Sequence, residues 1–148
     1  MWKCVLAAIV CAASGGAQTV LLDTFNAGAS AGAVRARTSS VGNTTQNGTT
    51  RTVGGNARDD NGWGATGLSL NATGMNFLTV TAQRDAGNSA ATFAIQFEDR
   101  DLNTQIFSVS MSAFAIGSLT SVHIPITALT GGFSLTNISG WSIGGGGV

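Results

Sequence analysis

The strongest constraint on this chain is a period of two. From residue 77 onward apolar residues recur at alternate positions, in short runs separated by Gly, Asn or Asp, and no window sustains a helical spacing. Alternation sends successive side chains to opposite faces of a strand, so each run buries one face and solvates the other. Five strands are expected, over 77–84, 92–99, 104–111, 119–126 and 138–143. Their apolar side carries Leu78, Val80 and Ala82, then Phe93, Ile95 and Phe97, then Phe107, Val109 and Met111, then Val122, Ile124 and Ile126. The polar side carries Thr79, Thr81, Gln83, Gln96, Glu98, Ser108, Ser110, Ser121 and His123. Turns at intervals of about eight to twelve residues favour an all-β, antiparallel β-sandwich or jelly roll.

A further strand is expected over 19–25. The stretch 27–64 is rich in Gly, Thr, Asn and Ser and holds Arg35, Arg37, Arg51 and Arg58. It reads as a loop-rich region with short edge strands at 34–41 and 49–53, and the glycines of 144–148 read as a flexible end.

Residues 1–17, MWKCVLAAIVCAASGGA, have the three parts of a secretory signal peptide: Lys3, an apolar run and small residues before a cleavage point at Ala17. The run is shorter than the roughly 20 residues that span a bilayer. Val10 does not suit the position before a lipidated Cys11, so a released, extracellular protein is expected, with one domain over 18–148. Cleavage removes Cys4, Cys11 and Lys3, leaving no cysteine and six arginines against seven acidic residues. Neither a disulfide nor a thiolate metal site is then available. A lysine-free, disulfide-free exported chain of this kind looks bacterial.

Composition excludes other classes. Only 9% of residues are charged, and seven basic residues balance seven acidic ones. A nucleic-acid binder needs clustered cations to displace counterions, so no nucleic-acid partner is expected.

Few residues offer catalysis. Glu98 and Asp99 are neighbours on one strand and point to opposite faces, which is unsuitable for the facing carboxylates of a glycosidase. Asp99, Asp101 and Asn103 are spaced like the start of a calcium loop, but the glycine and distal glutamate are missing, and a hairpin turn accounts for them. His123 is the only histidine, so no triad or zinc site assembles around it. Binding is better served. Trp63 lies between glycines in a loop, where its face is available to a sugar, and Gln83, Gln96, Glu98 and His123 supply groups that bond hydroxyls. Trp141, in an apolar strand, is expected in the core.

The segments GNARDDNGWG (55–64), LSLNATGMNFLTVTAQRDAGNSAATFAIQFED (68–99), FSVSMSAF (107–114) and SLTNISGWSIGG (134–145) together resemble the jelly-roll domains of exported bacterial proteins that often carry a PEP-CTERM sorting tail. Those domains are similar in fold to galactose-binding-like carbohydrate-binding modules. The resemblance implies a non-catalytic module whose opening strand helps hold one structural calcium ion. Leu22-Asp23-Thr24-Phe25-Asn26 matches that opening, which makes Asp23 and Asn26 the implied ligands. The family also implies a closing strand and a sorting tail. The sequence reaches GGGGV before either, so a sandwich lacking its closing strand is expected.

The expectation is therefore a secreted, non-catalytic β-sandwich that binds a polysaccharide or glycan of the cell surface or matrix, without a membrane span. The alternative is a structural protein of a matrix or biofilm that self-associates through strand edges.

Overall fold

The computed structural model describes residues 3–12, 19–23, 37–47, 50–62 and 69–145. The expected cleavage point, Asn26, Trp63 and residues 146–148 lie outside them. Among the described residues the chain is all-β, with no α-helix, and its strands pair antiparallel. They are β1 (Lys3–Ala12), β2 (Thr19–Asp23), β3 (Arg37–Asn47), β4 (Thr50–Gly62), β5 (Phe77–Arg84), β6 (Thr92–Asp99), β7 (Thr104–Ser110), β8 (Thr120–Pro125) and β9 (Ile138–Gly145). A 3-10 turn, Met111–Ala113, follows β7.

Hydrogen bonds join the strands in the order β7-β6-β9-β4-β1-β5-β8, with β2 beside β1 and β3 beside β4. Six steps of a flat sheet would hold β7 and β8 about 29 Å apart. Their Cα atoms instead come within 8 Å, so the twisted sheet curls until its ends meet. One core fills the fold: Leu78, Val80, Ala82 and Ile124 from β5 and β8 join Phe93, Ile95, Phe97, Phe107, Trp141 and Ile143 from β6, β7 and β9. Leu22 of β2, and Leu70, Met75 and Phe133 from the connections, complete it. Edge-to-face pairs Phe93–Phe114 and Phe97–Phe107, with centroids 5.4 and 5.9 Å apart, add directional packing.

The expected apolar positions are buried or packed against this core; Val109, Val122 and Ile126 are its half-buried margin. The region expected to be loop-rich differs. It forms the long strands β3 and β4, which pair with each other from Arg37↔Asn61 to Asn47↔Thr50. Main-chain pairing satisfies the backbone whatever the side chains, so a Thr- and Asn-rich segment makes strands without an apolar period.

The apolar run near the start of the chain, expected to belong to a signal peptide, also forms a strand. One edge of β1 pairs with β4 through Lys3–Leu6 and then with β2 through Ile9–Ala12; the other pairs with β5. Strand β1 thus links the β5–β8 arm to the rest of the sheet.

Candidate functional site on the outer face of β5 and β8

Alternation along β5 turns Leu78, Val80 and Ala82 into the core and Phe77, Thr79, Thr81 and Gln83 outward. Register then aligns partners from β8: Phe77 faces Pro125, Thr79 faces His123 and Thr81 faces Ser121. These partners touch. Thr79 Oγ1 lies 2.9 Å from His123 Nδ1, and Thr81 Oγ1 lies 2.9 Å from Ser121 Oγ. The Phe77 ring meets the His123 ring edge-on, with centroids 4.8 Å apart and an interplanar angle of 67°. The imidazole is therefore held on two sides, and Nε2 is its remaining hydrogen-bonding atom. Gln83 continues the row, half-buried.

Gln96 and Glu98 belong elsewhere. Both are on β6, which β9, β4 and β1 separate from β5 in the sheet. Because the inner faces of both arms line one core, their outer faces look away from each other. The expected polar face is thus divided into Gln83 with His123 and Gln96 with Glu98. Gln96 is half-buried and sits opposite Ser142. Glu98 is buried against β9 and not solvated as expected: Ser139 Oγ lies 3.2 Å from its carbonyl oxygen and 3.5 Å from its Oε1.

Asp99 is fully buried at the end of β6 and organises two loops. Its Oδ1 accepts hydrogen bonds from the backbone N–H groups of Asp101 and Asn103, both at 2.9 Å. Its Oδ2 accepts from the Ser134 N–H at 3.0 Å and from Asn103 Nδ2 at 3.2 Å. Burial pushes the carboxyl pKa up, but the bonds from Asn103, Ser134 and Asp101 outweigh it and hold the pKa below its ordinary value. Oxygens so occupied by N–H donors are turn caps. Leu102, 61% exposed, is held at φ 65° within this turn.

The implied calcium ligands are represented by Asp23 alone, at the end of β2. One carboxylate brings two of the six to eight oxygens that calcium takes, and no group of three or more His, Cys, Asp or Glu gathers among the described residues.

Sequence reasoning passed over Phe77. Its parity with Thr79, Thr81 and Gln83 already marked it as outward, but its contact with His123 depends on the β5–β8 register. Trp141 is wholly buried, as expected, with Nε1 unpartnered. No family model matches the chain, and no curated protein or solved structure does so.

Proposed function

We propose that the chain is an exported, non-catalytic β-sandwich of jelly-roll type that binds carbohydrate of the cell surface or extracellular matrix. The observation that carries this reading is the ordered row on the outer face of β5 and β8. Sugars offer C–H surfaces beside hydroxyls, and a half-buried phenyl ring next to an imidazole, an amide and paired hydroxyls complements both. Thr79 and Phe77 already fix the imidazole, so little side-chain freedom is lost on binding. Half-buried Gln96 offers a polar group on a second face, with Glu98 buried beside it, and Trp63 offers a loop contact. An ion held by Asp23 and Asn26 would brace the end of β2.

The test is affinity electrophoresis of the exported protein through a panel of polysaccharides, with calcium and with chelator. Retardation by at least one glycan is expected, weakened about tenfold or more by His123→Ala or Phe77→Ala, the loss expected of a central contact. Ser108→Ala, on the other arm, is the matched control. Trp63→Ala reports the loop, and a chelator-induced fall in melting temperature reports the ion. A folded protein that no glycan retards overturns the reading.

A further inference from the structure

Strand β5 runs unbroken for eight residues, Phe77–Arg84, longer than the usual five to six. Among the described residues its edges pair with β8 on one side and β1 on the other, apart from a single bridge from Arg84 to Ile116. The irregularity in the β1–β5 ladder is an extra residue in β1, between Leu6 and Ala8, so β5 itself carries no bulge. Yet β1 consists of the apolar run that export would remove. Natural edge strands are guarded by proline, lysine, bulges or short length. β5 has none of these guards, and its one charge, Arg84, stands at the end. β8, an edge already, ends in Pro125.

We propose that loss of residues 1–17 turns β5 into a self-complementary edge through which two mature chains join into one continuous sheet. Only the export half of the proposed function is assumed. Antiparallel pairing keeps core side chains on the core side when opposed residues share parity. A two-fold axis at Val80 does so. It sets Val80 against its copy and Leu78 against Ala82, and on the outer face Thr79 against Thr81 and Phe77 against Gln83. Apolar meets apolar in each inner pair, and no like charges oppose each other. The occupant is thus a second copy of this chain, in a closed symmetric dimer with the β5 edge consumed.

The full chain is expressed with its leader in an exporting bacterial host, and intact mass shows whether residues 1–17 are gone. Light scattering across a wide concentration range should find the processed protein dimeric. Thr79→Lys with Thr81→Lys brings ammonium groups face to face and should yield monomers. Mixing that variant with Thr79→Glu, Thr81→Glu chains should restore a mixed dimer. Ser108→Lys should leave the dimer intact, and circular dichroism checks folding throughout. The processed chain has no other thiol, so Thr79→Cys mixed with Thr81→Cys should oxidise to a mixed disulfide, a readout on near-native chains. Processed protein that stays monomeric overturns the proposal, as does a dimer indifferent to the lysines and without the crosslink. Secreted protein that keeps residues 1–17 overturns it differently, because β5 then remains paired. Glycan binding enters none of these readouts, so its failure is separately visible.

Discussion

Replacing Asp99 with Asn tests whether this buried carboxylate holds the β6–β7 turn to the segment around Ser134. Asparagine has nearly the same shape but one acceptor oxygen and an amide that donates. With its oxygen placed to keep the Asp101 and Asn103 N–H bonds, its NH2 group points at the Ser134 N–H and at Asn103 Nδ2. Two acceptances become donor–donor oppositions. A hydrogen bond to a charged group contributes about 1.5–3 kcal/mol, and a stranded buried donor costs about 1–3 kcal/mol. Asn103 and Ser134 are half-exposed, so water recovers part of this. The expected loss is about 2–4 kcal/mol at pH 7, read as a fall in the urea midpoint at unchanged slope. Removal of all the acceptors by Asp99→Ala should cost somewhat more.

The pH dependence gives a second, independent reading. The folded-state pKa of Asp99 is lowered, so its contribution is fully present above the unfolded value of about 4 and is lost as pH falls through the folded value. The stability difference between wild type and Asp99→Asn should therefore be constant from neutral pH down to about pH 5 and should narrow below about pH 4. Equal urea midpoints at pH 7, or a difference that persists undiminished in acid, would refute the assigned role of Asp99.

Other consequences follow from single positions. Leu102→Gly relieves a left-handed backbone conformation that costs a side-chain-bearing residue about 1–2 kcal/mol, against about 0.5–1 kcal/mol of glycine's extra unfolded-state freedom. A net gain of up to about 1 kcal/mol in urea unfolding is expected, and a loss would contradict the strain. Ser142 Oγ is buried without a partner, so Ser142→Ala should stabilise by about 1 kcal/mol, seen as a rise in melting temperature. Trp141→Phe removes a second orphaned donor while opening space, and should cost clearly less than the roughly 3–5 kcal/mol expected of Phe97→Ala. Thermal unfolding of both variants compares them directly.

The second half of the fold was legible because its strands are simple. Runs 77–84 and 92–99 match β5 and β6 end to end, and burial follows parity for Leu78, Val80, Ala82, Phe93, Ile95 and Phe97. In β3 and β4 no apolar period marks the strands, because their pairing is carried by backbone groups that every residue has. Asp99 looked like any turn aspartate, since burial of its carboxylate depends on Ser134, 35 residues away in sequence.

The sequence by itself determined which side of β5, β6, β7 and β8 carries the large apolar residues of the core, because parity is a property of the chain alone. It also showed an apolar run at residues 4–13, both cysteines within the first 17 residues and a single histidine. Only the tertiary structure decided which strands are neighbours. That choice set Gln83 and His123 apart from Gln96 and Glu98, brought Phe77 against His123, and placed Lys3–Ala12 beside β5. Strand neighbours are chosen by hydrogen-bond ladders and a shared core formed between distant segments, and no local pattern in the sequence encodes that choice.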